Sequence, residues 1–134
     1  HRDLHSFPTR RSSDLEDGIV FAGEISNLTL HCELVTLSAC ETAQGKLFKG
    51  EGVVGLAYSF LSAGTKNLII SLWKVSDEAT VELMYNFYSH LLSKVSDLNN
   101  CHTFNESLTF SKRKIIKSKF SHPYFWAAFV LIGM

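Results

Sequence analysis

The run Leu34-Val35-Thr36-Leu37-Ser38-Ala39-Cys40-Glu41-Thr42 constrains this chain more than any other stretch. Apolar and β-branched residues give way to small ones, then to a cysteine and an acid, which is the pattern of a buried strand delivering Cys40 to its carboxyl end. In an open α/β sheet that end is where sites form. Behind it come a loop punctuated by Gly45, Gly50 and Gly52, a helix, and a second apolar run, Leu68-Ile69-Ile70-Ser71-Leu72-Trp73. Strand and helix in alternation predict an α/β fold with a mainly parallel sheet, in which the Cys40 strand is central.

The flanking segments fit that frame. Val53, Leu56, Ala57, Phe60 and Leu61 recur at helical spacing, and Gly64 is a natural C-terminal stop. Lys66 to Trp73 is expected as a buried strand, parallel and adjacent to the Cys40 strand, because its apolar run is continuous and a helix separates the two. Ser76-Asp77-Glu78 opens the next helix, with Ser76 or Asp77 as N-cap and Ala79, Leu83, Phe87, Leu91 and Leu92 along one side. Upstream, Asp17 to Gly23 reads as a short strand or hairpin arm and Glu24 to Leu28 as a brief helix. Downstream the signal weakens: Asn99-Asn100-Cys101-His102 reads as a loop, Phe104 to Phe110 as helical, and Phe129 to Ile132 as a last strand.

Composition excludes several function classes. With 13 basic and 13 acidic residues the formal charge is zero, so no global field draws the chain to nucleic acid or membrane. Lys112-Arg113-Lys114, with Lys117 and Lys119, is a local basic cluster without interleaved aromatic residues, and reads as a solvated helix face. Hydrophobic residues at 46% indicate a folded chain with room for one domain. Cys32, Cys40 and Cys101 form an odd set with no C-x-x-C pair, so neither a disulfide framework nor a metal site is expected, and a reducing, cytoplasmic compartment is the simpler inference. The longest apolar run, Phe125 to Met134, falls well short of the ~20 residues that cross a bilayer. Gly45 to Glu51 has the glycine spacing of a phosphate loop, but Glu51 stands where its lysine belongs, so no nucleotide or other cofactor is expected.

Four ordered motifs carry a resemblance. Leu37-Ser38-Ala39-Cys40-Glu41-Thr42-Ala43, Gly50-Glu51-Gly52, Ser71-Leu72-Trp73-Lys74-Val75-Ser76-Asp77 and His122-Pro123-Tyr124-Phe125-Trp126-Ala127-Ala128-Phe129 resemble the successive motifs of CHAT domains. These are caspase-like cysteine peptidases of the group that includes caspases and separase. The resemblance, from Asp17 to Gly133, implies a caspase-like three-layer sandwich with helices on both faces of the sheet. It also implies a protein or peptide substrate and, in the natural parent, N-terminal tetratricopeptide repeats. The opening segment, His1 to Leu15, instead resembles one reading frame of a short-read sequencing adapter. It is read as a non-native segment and set apart from residues 16–134, the C-terminal part of the domain. The fold is accordingly expected to be N-terminally truncated.

The resemblance makes Cys40 the nucleophile. A cysteine attacks only as thiolate, and a nearby imidazole and electropositive backbone groups lower its pKa from about 8.5. Glu41 could shape the substrate pocket or bond loop amides; Asp77 could select a basic side chain ahead of the scissile bond or cap its helix. Cys32 and Cys101 read as structural, and Trp73 and Trp126 as core or pocket-wall aromatics. None of the histidines matches the family's catalytic one, which precedes the cysteine on its own strand: His1 and His5 lie in the adapter-like segment, His31 at the opposite edge of the sheet, His90 on a helix, His102 in a loop, and His122 in a turn that it fixes. The expectation is therefore a fragment of a cysteine endopeptidase, inactive for want of its histidine. The alternative is a catalytically silent caspase-like module used for protein interaction.

Overall fold

A single strand, β2 (Thr65–Ser71), organises the molecule: five of its last residues, Asn67 to Ser71, are buried in succession. The structure is a computed structural model and describes residues 22–38, 52–94 and 101–133. In chain order it comprises α1 (Ala22–Ser26), β1 (Cys32–Leu37), α2 (Gly52–Ser62), β2, α3 (Asp77–Leu92), α4 (Cys101–Ile116), α5 (Pro123–Trp126) and β3 (Phe129–Gly133). Among the described residues, no helix is long and apolar enough to cross a membrane.

β1 and β2 pair in parallel as expected, with Cys32 opposite Thr65 and Leu37 opposite Ile70, but β1 is not the buried strand expected: only Leu37 is buried and the rest of it, with Glu33 and Thr36, is half-buried. β3 pairs with the other side of β2 but antiparallel, Ser71 facing Phe129 and Asn67 facing Gly133. The three-stranded sheet is thus mixed rather than mainly parallel, and among the described residues β2, not β1, is the middle strand. The helices explain the reversal. α3 and α4 are antiparallel neighbours, joined by His90 Nδ1 with Ser107 Oγ at 2.8 Å and by Ser111 Oγ donating to the Leu83 carbonyl at 2.5 Å. Two helices in succession return the chain to the carboxyl edge, so β3 must run backwards.

Alternation along β2 divides the interior in two. Leu68 and Ile70 join Leu37, Ile25 of α1, and Leu56, Ala57 and Phe60 of α2 in one core. Ile69 points the other way, into a core with Ala79, Leu83, Phe87 and Leu91 of α3, Phe104, Leu108 and Ile115 of α4, and Phe129. Helices therefore cover both faces of a mixed α/β sheet. Gly64 ends α2 at φ 109°, the glycine-favoring region expected of a helix stop.

Three local expectations need correction. Leu92 is 66% exposed, because the buried stripe of α3 ends one residue earlier at Leu91. Cys101 and His102 lie inside α4 and not in a loop, and that helix runs well past Phe110. Its packing stripe includes the buried Thr103, Ser107 and Ser111, polar residues that a search for apolar periodicity passes over. Of the segment Asp17 to Gly23, Ala22 and Gly23 belong to α1, and the rest lies outside the described residues.

Candidate functional site at the carboxyl edge of the sheet

Parallel pairing puts the ends of β1 and β2 at one edge. Since Leu37 is in register with Ile70, the chain leaving β1 at Ser38 stands beside Ser71. β3 begins at the same edge, with Phe129 opposite Ser71. Two of the sequence motifs meet here. The Leu72 amide donates to the Ala128 carbonyl at 2.8 Å, and Trp73 Nε1 donates to the Tyr124 carbonyl at 2.9 Å. Tyr124 returns a bond from its hydroxyl to the Lys74 carbonyl at 2.5 Å, and the Trp73 and Tyr124 rings stack with centroids 6.4 Å apart. These contacts hold the connection after β2 in place.

The caps are resolved by residue. Ser76 is the N-cap of α3 and accepts from the Ala79 amide at 3.3 Å, leaving Asp77 as the exposed first residue of the helix. His122 caps α5, its Nδ1 accepting from the Tyr124 amide at 3.1 Å, so this histidine fixes the turn as its position suggested. Asp77 thus stands just past the edge where β1 and β2 end, with the helix dipole behind its carboxylate. Cys40 and Glu41 lie outside the described residues; Cys40 follows Ser38 by two positions in the chain.

The other histidines are placed away from this edge or occupied. His31 is exposed ahead of β1, at the opposite end of the strand. His90 sits in the last turn of α3, bonded to Ser107 and packed at 4.5 Å between centroids on Phe110. His102 is exposed on α4. His1 and His5 lie outside the described residues. Cys32 is half-buried, with its sulfur 3.4 Å from Thr65 Oγ1, which suits a structural role. Trp73 and Trp126 pack half-buried against the α3–α4 core as wall residues.

Charge at the basic cluster is unevenly housed. Burial pulls the Lys112 ammonium below the ordinary lysine value, whereas Arg113 and Lys114 are exposed. Lys119 is raised by its hydrogen bond to Glu78 at 2.5 Å and by the charge of that carboxylate. Among the described residues no group of histidine, cysteine and acidic side chains could hold a metal ion. A separate cleft of about 400 Å³ between α3 and α4, lined by His90, Glu106, Phe110 and Arg113, contains none of the expected site residues.

Sequence reasoning missed two features of the edge. Tyr124 was part of a motif but its clamp on Trp73 and Lys74 had no local signal, because both partners come from distant sequence. Ser71 left a trace: a hydroxyl at the end of an otherwise apolar buried run.

Comparison with known proteins adds an independent line. The sequence model of the CHAT domain matches residues 4–134. Tetratricopeptide repeat protein 28 from Mus musculus is 33% identical over 120 residues, and its counterpart from Homo sapiens is 32% identical over 121 residues. Each alignment covers 89% of this chain but only 5% of the mouse protein and 4% of the human one, so the chain spans a small part of these relatives' length. No solved structure matches it.

Proposed function

This chain belongs to the CHAT domain family, and from that premise we propose that it is part of a caspase-like cysteine endopeptidase domain with Cys40 as its nucleophile. The observation that carries the reading is the parallel β1–β2 register. It sets the exit of β1, which leads to Cys40, beside the exit of β2, which leads to Asp77.

In this reading the Cys40 thiolate attacks the scissile carbonyl carbon, and backbone N–H groups hold the oxyanion that forms. Collapse of that intermediate breaks the C–N bond; the leaving amine takes a proton from an imidazolium, and water then releases the acyl group. Asp77 supports the pocket assignment because Ser76 already supplies the cap, so the neighbouring carboxylate is not needed for it. It would select a basic side chain, with Glu41 shaping the same pocket. The sheet, covered by helices on both faces, would be the C-terminal part of a caspase-like sandwich. The relatives' names support a natural parent that carries tetratricopeptide repeats, and a cytoplasmic setting suits a working thiolate.

Among the described residues no histidine is placed to act as the base of such a dyad. His90 and His122 already spend a ring nitrogen on Ser107 and Tyr124, and His31 stands at the wrong end of β1. That observation favours the second reading for this chain as it stands, a catalytically silent module. We place the active domain's histidine on a natural strand ahead of Asp17 and read residues 1–15 as an adapter-like, non-native segment. Genomic sequence ahead of Glu16 should therefore diverge from His1 to Leu15 and encode a strand ending in His-Gly. The decisive assay is hydrolysis of a peptide panel by this chain, by the domain with its genomic upstream segment restored, and by the restored domain carrying Cys40→Ala. Only the restored, unsubstituted domain should cleave. Cleavage by this chain alone would refute the missing-base argument, and cleavage by the Cys40→Ala domain would refute the nucleophile.

A further inference from the structure

α3 is apolar on two faces. One, made by Ala79, Leu83, Phe87 and Leu91, is buried in the core. The other bears Val81, Tyr85, Tyr88 and Leu92, which are 66%, 71%, 39% and 66% exposed. Their spacing of four, three and four residues is the alternation of a coiled-coil seam, the pattern with which one helix packs along another. A single exposed apolar side chain needs no explanation, but four in line on one helix mark an interaction surface. One ring of the seam is fixed in advance, since the Tyr88 hydroxyl lies 2.6 Å from that of Thr36 on β1.

The partner that fits this seam is the same seam. Laid antiparallel about a twofold axis between Tyr85 and Tyr88, two copies set Tyr85 of each against Tyr88 of the other, and Val81 of each against Leu92 of the other. Ring then meets ring, and a short β-branched side chain meets a longer one. Charge selects the same direction. Asp77, Glu78 and Glu82 crowd the first half of α3, whereas Leu83 to Lys94 contains no acid. Antiparallel docking sets the acidic half of each helix against the acid-free half of the other and opposes the two helix dipoles; parallel docking would stack acid on acid. The four side chains offer on the order of 500 Å² from each copy, or about 1,000 Å² in all, at the lower limit of a specific interface. Such a pairing is weak and depends on concentration.

We propose that the exposed face of α3 docks on the same face of a second copy of this chain, with the two helices antiparallel. The pairing involves neither Cys40 nor a restored upstream segment, so it stands or falls apart from the peptidase reading.

Sedimentation equilibrium of the 134-residue chain from about 10 µM to about 1 mM should show a monomer passing to a dimer. Tyr85→Glu puts a charge at the centre of the seam and should weaken the dimer at least about tenfold. Its thermal midpoint at about 10 µM should match the parent's, because the position is exposed in the monomer. Two more variants test the direction. Val81→Lys and Leu92→Glu should each stay monomeric alone, yet their equimolar mixture should dimerise, because antiparallel docking brings the two introduced charges together and leaves Leu92 of one copy against Val81 of the other. Parallel docking gives no such rescue. A parent that is still monomeric at about 1 mM would overturn the proposal and leave the seam to a different protein or to more of a longer natural chain. Dimerisation untouched by Tyr85→Glu, or a mixture that stays monomeric, would overturn it as well.

Discussion

Gly64 sits at the joint between α2 and β2, and replacing it with alanine tests whether that joint is as constrained as its geometry indicates. Its φ of 109° lies where a side chain is strained, at about 1–3 kcal/mol for a non-glycine residue. A second penalty is independent of the first: a Cβ there would overlap the carbonyl oxygen of Leu30. That oxygen cannot swing aside freely, since the amide of Leu30 donates to the Ala63 carbonyl at 2.6 Å. Relieving an overlap by shifting backbone costs about 1–3 kcal/mol more. Lower freedom of the unfolded alanine chain returns about 0.4–1 kcal/mol. The net expectation is a loss of about 1–6 kcal/mol from a domain whose whole stability is on the order of 5–15 kcal/mol. Urea unfolding followed by far-ultraviolet circular dichroism should show the midpoint fall with the slope unchanged. Loss of exchange protection at the Leu30 amide should accompany it. A Gly64→Ala protein within about 0.5 kcal/mol of the parent would refute the argument that this joint is closed by backbone contact.

Two further substitutions test the core and the buried cation. Phe87→Ala empties a fully buried site between α3, α4 and the sheet, and should cost about 3–5 kcal/mol in the same urea assay; a loss under about 1 kcal/mol would mean the core collapses to fill the space. Lys112→Met removes an ammonium whose pKa burial lowers, so the parent carries a penalty below that folded value. The penalty lifts as pH rises toward 10.5, because the unfolded chain holds the proton more tightly. The variant should therefore match or exceed the parent near neutral pH and lose that advantage in alkaline urea titrations. A variant weaker at neutral pH would show instead that the ammonium has a favourable partner.

The parts of the fold that could be read from sequence are those in which one local pattern decides the outcome. A continuous apolar run marked β2 and a helix between it and β1 marked their parallel pairing, though β1 is only half-buried; Gly64 and Ser76 marked a helix end and a helix start through backbone chemistry that depends on no distant partner. The direction of β3 was not legible, because it depends on two helices stacking before the chain returns. α4 was underestimated for a related reason: Ser107 and Ser111 are buried only because α3 supplies His90 and the Leu83 carbonyl. Of the candidate site residues, Cys40 and Glu41 lie outside the described residues, and Asp77 is the first residue of the helix that follows β2. The hydroxyl of Ser71 drew no attention, since a serine in a strand is unremarkable until its lack of a partner is known.

The pairing of Trp73 with Tyr124, and of Trp126 with the Ser121 carbonyl, has an optical consequence. Both tryptophans of the chain belong to the connections that flank the carboxyl edge, and neither is in the core with α1 and α2. Intrinsic fluorescence of this protein is then a local gauge and not an average over the fold. Emission should shift to longer wavelength when the segment around α5 lifts from the exit of β2, even while the helices keep their far-ultraviolet signal. Any ligand that seats between those two connections would be visible by its own quenching, without a label.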